Sequence, residues 1–166
     1  MEASIIIVSY NSHDDLIECL DSVLRECHDH TRYEIIVVDN DSHDASRTLI
    51  RHAYPMVQLL ENTNTGYAGG NNYGATVAQG DYLIFLNPDT IVMPGAITAL
   101  VTPLSNDPTI GLTTGCLVHH RHPQQINTCG NHMHYTGLTY CRGANQPRTQ
   151  YAMSCTVDAV SGAACA

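Results

Sequence analysis

Polar residues that could bind a ligand follow four apolar segments of the sequence, each at the point where the segment ends. The four polar groups are Ser9-Tyr10-Asn11, Asp39-Asn40-Asp41, Asn62-Thr63-Asn64 and Asn87-Pro88-Asp89. Asn and Asp are common turn residues, so each group taken alone has a structural explanation. If the apolar segments are neighbouring parallel strands, all four groups lie at the edge of the sheet where ligands bind, which favours a binding site.

Asp89 is the residue of these groups best suited to holding a metal ion. A carboxylate beside a diphosphate repels it unless a cation lies between them, and Mg²⁺ typically takes one or two carboxylates plus phosphate oxygens and water. One interpretation is therefore a metal bridge to a bound diphosphate. The alternative is a capped turn before a helix that we expect to start at Pro94.

The segment "NTNTGYAGGNNYG" adds glycines that let a backbone approach a ligand closely. We expect it to lead into a helix over about 70–79, whose N-terminal amides would favour an anion. Its spacing matches neither a dinucleotide-binding G-x-G-x-x-G nor a phosphate-binding P-loop. The chain contains no lysine, which excludes a P-loop lysine, a Schiff base and a serine-lysine hydrolase.

The elements that must position these residues alternate along the first hundred positions. Buried β-strands are predicted at Ser4–Ser9, Glu34–Val38, Met56–Leu60 and Tyr82–Leu86. A variant capping box, Ser12 with Asp15, predicts a first helix with these residues on one face: Leu16, Cys19, Leu20, Val23, Leu24 and Cys27. A second helix is expected from Asp44, with the following residues turned inward: Ala45, Thr48, Leu49 and Ala53. Strands joined by helices of this length predict an α/β fold with a mainly parallel sheet.

After about Ile110 the periodicity fades, and only Thr156–Val160 again resembles a strand. We expect loops and short hairpins laid over the first part. With no repeat or low-complexity linker, the sequence predicts a single domain, 1–166, made of a ligand-binding half, 1–110, and a second half, 111–166.

Composition limits the possible functions. The 166 residues carry a net charge of -9, which repels nucleic acid. No apolar run approaches the roughly 20 residues that span a bilayer, and no signal peptide is visible. Seven cysteines without a C-x-x-C pair favour free thiols in a reducing cytosol over a disulfide framework, so a cytoplasmic protein is expected.

Five histidines in the second half could form a zinc site: His119, His120, His122, His132 and His134. No acid or cysteine completes a recognised metal-binding spacing, so we favour histidines of a surface or acceptor-side loop.

Five segments in order resemble the motifs of family 2 glycosyltransferases, especially the rhamnosyltransferase-like bacterial branch that builds surface polysaccharides. They are "SIIIVSYNS", "YEIIVVDNDSHDAS", "ENTNTGYAGGNNYG", "YLIFLNPDT" and "VDAVSGA". The resemblance implies a GT-A fold, a UDP- or dTDP-linked sugar donor, Mg²⁺ or Mn²⁺, and inverting transfer to a hydroxyl of a glycan or lipid-linked acceptor. It is also compatible with a peripheral position at the inner face of the membrane.

The resemblance also implies roles for individual residues. Ser9, Tyr10 and Asn11 correspond to the loop against the nucleoside, and Asp39 to the acid that contacts the base or ribose. Further donor-binding positions are Asn64, Gly66, Asn72, Asn87 and Asp158. Asn87-Pro88-Asp89 corresponds to the metal motif, usually Asp-x-Asp, so Asp89 would carry most of the metal binding.

The general base is the part of the reaction that the sequence does not supply. In the family it belongs to an acidic pair downstream of "VSGA", and this chain ends at Ala166. We therefore expect the base beyond Ala166 and a C-terminally truncated transferase domain. The alternatives are a non-catalytic nucleotide-sugar-binding remnant, or an α/β enzyme that uses a nucleotide such as NAD, against which the missing G-x-G-x-x-G argues.

Overall fold

The computed structural model describes residues 2–27 and 32–166. Its helices and strands, numbered in chain order, are β1 Ala3–Ser9, α1 His13–Glu26, β2 Tyr33–Asp39, α2 Ser46–Ala53, β3 Gln58–Glu61, α3 Gly66–Ala75, β4 Tyr82–Leu86, α4 Ala96–Asn106, β5 Leu117–His119, β6 His122–Thr128, β7 Asn131–Met133, β8 Thr139–Cys141 and β9 Ala164–Cys165, with a 3₁₀ turn at Arg148–Tyr151. None of the helices in the described part of the chain is long and apolar enough to cross a membrane.

The centre of the fold is a five-stranded sheet in the order β3-β2-β1-β4-β9. The first four strands are parallel to their neighbours, and β9 is antiparallel to β4. Every residue of β1 is buried, as expected of a central strand covered on both faces. The predicted α/β class with a mainly parallel sheet is therefore confirmed.

The two faces of the sheet pack against different helices. The larger core contains Ile5, Ile7 and Ile84 of the sheet together with buried residues of α1, α2 and α4. The smaller core contains Ile6, Val8, Ile36 and Val38. It is covered by α3, which approaches β1 and β2.

Helix α1 has the predicted apolar face, but its N-terminus is stabilised differently from the prediction. Leu24 is partly buried and the other five predicted residues are buried. Ser12 makes no side-chain capping bond to the helix, and its hydroxyl donates to the carbonyl of Tyr10 instead. The carboxylate of Asp44 accepts from the amide of His13 at 3.1 Å and from the amide of Ser46 at 3.0 Å. The predicted capping box is therefore wrong. Asp44, in the loop before α2, accepts hydrogen bonds from the first amides of both α1 and α2.

The predicted inward face of α2 is correct at Leu49 and wrong at the other three positions. The helix begins at Ser46, and its buried residues are Ser46 and Ile50, with Leu49 partly buried. Ala45, Thr48 and Ala53 are exposed. Ser46, Leu49 and Ile50 have the i, i+3, i+4 spacing of one helical face, and Ile50 is the main apolar side chain that anchors the helix.

Helix α3 begins four residues earlier than predicted, so the glycine-rich segment forms the helix instead of leading into it. A Cβ at Gly70 would lie 2.8 Å from a Val8 methyl carbon, and one at Gly74 would lie 2.7 Å from an Ile6 methyl carbon. The glycines thus allow α3 to lie directly on β1. Glycine lowers helix propensity, and here close packing on the sheet compensates for it.

The expected helix start at Pro94 and the expected strand at Thr156–Val160 are not observed. Gly95 adopts φ 81°, a left-handed conformation, and α4 starts at Ala96 after that turn. Within Thr156–Val160 only Ala159 forms an isolated bridge, to Asn131, and the late strand of the sheet is instead β9.

The second half consists of short hairpins, as predicted. Strand β5 pairs with β6, and β7 pairs with β8, both antiparallel. All seven cysteines are free, which confirms the prediction of free thiols.

Candidate functional site

A cleft of about 490 Å³ lies at the carboxyl ends of β1, β2 and β4. It is lined by Val8, Tyr10, Asn11, Ser12, Asp15, Asn40, Asn64, Gly66, Tyr67, Asn87, Pro88 and Asp89. Each of the four polar groups that follow the strands contributes at least one residue. The sheet therefore brings together the residues that the sequence placed at one edge.

Hydrogen bonds between the strand ends fix the base of the cleft. The amide of Asn40 donates to the carbonyl of Ser9 at 2.8 Å, which extends the β1–β2 pairing by one residue. The Asn40 side chain donates to the carbonyl of Gly66 at 3.0 Å and accepts from the side chain of Asn62 at 2.8 Å. Asn40 thus connects β2, the segment after β3 and the start of α3.

The loop after β1 is held by Asn11, whose φ of 49° lies in the left-handed region that Asn tolerates. Its amide donates to the hydroxyl of Ser42 at 3.0 Å, and its side-chain oxygen accepts from the amide of His43 at 2.8 Å. These bonds join the loops that follow β1 and β2. The ring of Tyr10, 49% exposed, remains on the cleft wall.

Ser9 and Asp39 are paired across β1 and β2 and lie beneath the cleft. Both are fully buried, and neither lines it. One oxygen of Asp39, Oδ1, accepts from the amide of Ser42 at 3.0 Å and from Nε of Arg47 at 2.6 Å. The other, Oδ2, is buried with no hydrogen-bond partner in the described part of the chain. A buried acceptor without a donor is costly, so this oxygen is the unsatisfied acceptor beneath the cleft.

The N-terminus of α3 opens onto the cleft. Gly66, at φ 76°, is the first helical residue, and its amide donates to the side chain of Asn64 at 3.1 Å. The early helix start places the amides of the first turn beside the cleft, where they favour an anion. Asn72, in the second turn, is exposed and does not line the cleft.

The turn Asn87–Asp89 is fixed from both sides. The Asn87 amide donates to the carbonyl of Ala163 at 2.9 Å, and the Asn87 carbonyl accepts from the thiol of Cys19 at 3.7 Å. Burial, with a smaller contribution from the charge of Asp89, raises the pKa of Cys19 to about 12. The thiol is therefore a neutral support under the turn.

The Asp89 carboxylate is exposed at the rim of the cleft. No residue within 2–27 and 32–166 hydrogen-bonds to it or forms an ion pair with it. The same part of the chain contains no group of three or more His, Cys, Asp or Glu that could enclose a metal ion. This donor set suits Mg²⁺ or Mn²⁺ held by one carboxylate together with phosphate oxygens and water, and does not suit an ion held by the protein alone.

The cleft residues that the sequence analysis missed include Asp15 and Tyr67. Asp15 was interpreted as part of a cap, and Tyr67 as an ordinary member of a glycine-rich loop. The Tyr67 hydroxyl donates to the carbonyl of Gly162, which joins α3 to the segment before β9. The sequence pattern that could have identified Tyr67 is its position as the one large side chain among the small residues of Gly66–Gly70.

Asp158 lies apart from the cleft lining and is exposed. Its carboxylate accepts from the amide of Met133 at 3.1 Å and lies 3.3 Å from Nδ1 of His132. The hydrogen bond from the Met133 amide lowers the pKa of Asp158, and the hydrogen bond with His132 makes a smaller contribution in the same direction. His132 is thus paired with an acid. The described residues contain no cluster of histidines with metal-binding geometry.

Comparison with known families identifies the family to which the chain belongs. A model of glycosyl transferase family 2 matches residues 4–158. The chain belongs to glycosyl transferase family 2. Relatives include the uncharacterized glycosyltransferase YibD of Escherichia coli K12, 34% identical over 107 residues, or 63% of this chain and 30% of YibD. Another is the poly(ribitol-phosphate) beta-glucosyltransferase of Bacillus spizizenii W23, 36% identical over 97 residues, or 55% of this chain and 15% of that protein.

Similar solved structures confirm the GT-A architecture. The mannosyltransferase PcManGT of Pyrobaculum calidifontis, in complex with GDP-Man and Mn²⁺, aligns with a TM-score of 0.64 at 24% identity, covering 72% of this chain and 36% of PcManGT. TarS 1-349 of S. aureus in complex with UDP-GlcNAc aligns with a TM-score of 0.60 at 19% identity, covering 71% of this chain and 35% of TarS 1-349. The chain thus spans about a third or less of each of these relatives and structures.

Proposed function

We propose that this family 2 domain binds a nucleotide sugar with Mg²⁺ or Mn²⁺ and transfers the sugar with inversion to a hydroxyl of a glycan or lipid-linked acceptor. The observation that carries the proposal is that Asp89 and the N-terminus of α3 lie on the same cleft. A carboxylate without a protein partner attracts a cation, and a helix N-terminus attracts an anion. A diphosphate with a bound divalent cation satisfies both.

The chain's own groups would stabilise the leaving nucleoside diphosphate. As the bond to the sugar breaks, negative charge grows on the diphosphate, and the positive N-terminal end of α3 would stabilise it. Asn64 and Gly66 hold that helix start against the cleft. When bound at Asp89, the metal ion would supply Lewis-acid stabilisation of the same charge.

The nucleoside would occupy the part of the cleft formed by the loops after β1 and β2. The exposed ring of Tyr10 offers a surface for stacking, and Asn11 holds the loop that presents it. We assign Asp39 Oδ2 as the acceptor for a base or ribose donor, because this oxygen has no hydrogen-bond partner in the described residues. Asn87 keeps the turn that carries Asp89 in place, and Asn72 and Asp158 are secondary donor-side candidates.

The resemblance to the rhamnosyltransferase-like branch favours a hexosyl or rhamnosyl donor linked to UDP or dTDP, and a role in surface polysaccharide synthesis. A thermal-shift comparison of UDP-, dTDP- and GDP-sugars tests this assignment. A shift with GDP-sugars alone would contradict it. We do not favour a non-catalytic remnant; turnover of any donor by this chain would exclude it.

Metal-dependent binding of a nucleoside diphosphate is the direct test of the cleft. We expect UDP or dTDP to bind by isothermal titration calorimetry with Mn²⁺ and at least about tenfold more weakly with chelator, since one charged contact is lost. Asp89→Ala should abolish this metal dependence. Asp107→Ala, which removes an exposed acid outside the cleft, is the matched control and should leave it unchanged. Equal binding with and without metal would refute the role of Asp89.

A further inference from the structure

The charge of the chain is distributed unevenly along the sequence. The first 107 residues contain fifteen of the sixteen acids and four of the seven arginines, whereas residues 108–166 contain three arginines and Asp158 as the single acid. Half of the ten histidines also lie in this second part. A protein with a net charge of -9 therefore has a cationic second half.

A second pocket, of about 360 Å³, lies at the turn of the β5–β6 hairpin within this cationic half. Its lining residues are His119, His120, Arg121, His122, Gln125 and Asn145. All six side chains can donate a hydrogen bond, and none is acidic. A pocket lined in this way is suited to an oxyanion.

Arg121 is the strongest cation of this pocket and is exposed. Within residues 2–27 and 32–166 it makes no hydrogen bond or ion pair. Arg47 and Arg51, by contrast, are paired with acids. A guanidinium offers a planar set of donors that matches phosphate oxygens, so Arg121 can bind an anion without first breaking an internal contact.

The opposite wall of the pocket is held in position by the backbone. Asn145 adopts φ 61°, and its amide donates to the carbonyl of Ile126 at 2.8 Å, which fixes the loop beside β6. The side-chain oxygen of Asn145 lies 3.2 Å from Nε2 of His119. With that oxygen occupied, the amide nitrogen of Asn145 remains as a donor towards a ligand.

We propose that the pocket at the β5–β6 turn binds a phosphate group carried by a small molecule, at a site separate from the cleft that contains Asp89. Arg121 provides the charge, and His120, His122 and the side-chain nitrogen of Asn145 provide further donors. The binding itself does not depend on the proposed transferase activity.

The test is a titration followed through the imidazole signals in NMR, at constant ionic strength and with chelator present. We expect inorganic phosphate and glycerol 3-phosphate to produce saturable shifts at His119, His120 and His122, and acetate to produce none. Tighter binding of glycerol 3-phosphate would support a phosphate carried by a larger molecule, and equal or weaker binding would refute such a carrier and identify free phosphate as the ligand. Shifts that do not saturate, or that acetate reproduces, would overturn the proposal.

Matched variants separate this site from the general charge of the protein. Arg121→Gln should weaken phosphate binding about tenfold or more, because a charged hydrogen bond is lost. Arg25→Gln removes the same charge from an exposed position in α1 and should change the affinity less than about twofold. Asp89→Ala should leave phosphate binding unchanged while it abolishes metal-dependent nucleotide binding. Equal effects of the two arginine substitutions would refute the proposal.

Discussion

Nε of Arg47 lies 2.6 Å from Oδ1 of Asp39, whose side chain is completely buried. The hydrogen bond to Asp39 raises the pKa of the Arg47 guanidinium. The guanidinium nitrogens of Arg47 also lie 3.3 Å from a carboxylate oxygen of Asp41 and 3.6 Å from one of Glu61. Arg47 therefore forms ion pairs with three acids. The loop after β2, at the base of the cleft, therefore depends on this side chain.

We predict that Arg47→Gln lowers the Tm by about 5–10 °C, because it leaves a buried carboxylate without its cation. Differential scanning calorimetry measures the change. Arg51→Gln, which removes an exposed cation that pairs with Glu61, is the control and should lower the Tm by less than about 3 °C. Similar losses for the two variants would contradict the importance of the buried pair.

Tyr67→Phe tests the contact between α3 and the segment before β9. The phenylalanine keeps the ring on the cleft wall and loses the hydrogen bond to the carbonyl of Gly162. We expect a loss of about 0.5–1 kcal/mol in the free energy of unfolding, measured with urea, and weaker binding of the nucleoside diphosphate. Tyr73→Phe, on the same helix and outside the cleft lining, should change neither quantity.

Gly80→Ala should destabilise the fold, because a Cβ at this position would lie 2.4 Å from the backbone nitrogen of Ser4 and 2.5 Å from the carbonyl carbon of Ala3. Backbone atoms of a central strand cannot move away easily, so we expect a loss of about 2–3 kcal/mol or more in the free energy of unfolding. Gly111→Ala meets no atom within 4 Å and should be nearly neutral. Chemical denaturation of both variants measures the difference.

The cysteines should fall into two classes in a thiol-reactivity assay. Cys116, Cys141 and Cys155 are exposed and should react with Ellman's reagent at pH 8 in the folded protein, Cys116 more slowly because burial raises the pKa of its thiol. The other four are buried and should react only when the protein unfolds: Cys19, Cys27, Cys129 and Cys165. More than three rapidly reacting thiols in the folded protein would contradict the described core.

Alkaline pH should destabilise the protein through the buried thiols. Burial raises the pKa of Cys19 from 9.0 to about 12, so above pH 9 the unfolded chain releases this proton and the folded chain keeps it. The stability contributed by the neutral thiol is complete below pH 9 and is lost as the pH rises towards 12. The free energy of unfolding should therefore fall by up to about 1.4 kcal/mol per pH unit for this group.

Cys19→Ala should make this alkaline decline less steep, because the variant has no thiol to ionise beneath the Asn87 turn. Cys141→Ser removes an exposed thiol and should leave the slope unchanged. Urea titrations between pH 7 and 10.5 measure both slopes. An unchanged slope in Cys19→Ala would show that other groups determine the alkaline behaviour.

The sequence predicted the parts of the fold that follow from hydrophobic pattern. Strands such as β4, observed at Tyr82–Leu86 as predicted, are runs of apolar residues that have few alternatives. The cleft followed from them, because parallel strands deliver their carboxyl ends to one edge. Its assignment as the binding site for the donor remains a prediction.

The elements that the sequence did not predict depend on contacts made by the folded chain. Helix α3 is a poor helix by propensity and forms because Gly70 and Gly74 allow it to pack on β1. The cap supplied by Asp44 comes from a loop about thirty residues away in the sequence, beyond the reach of a local motif. Local pattern therefore identified the strands better than the helix boundaries.

The lengths of β1 and β2 determine whether the cleft can tolerate the insertion or deletion of a residue. Ser9 pairs with Asp39 in the β1–β2 register, and the loops that carry Tyr10, Asn11 and Asn40 begin immediately afterwards. Deletion of a single residue within either strand would shift its end by about 3.3 Å and turn each following side chain to the opposite face of the sheet. Insertions and deletions should therefore be far more harmful in β1 and β2 than in the hairpins after Ile110, even where every cleft residue is kept.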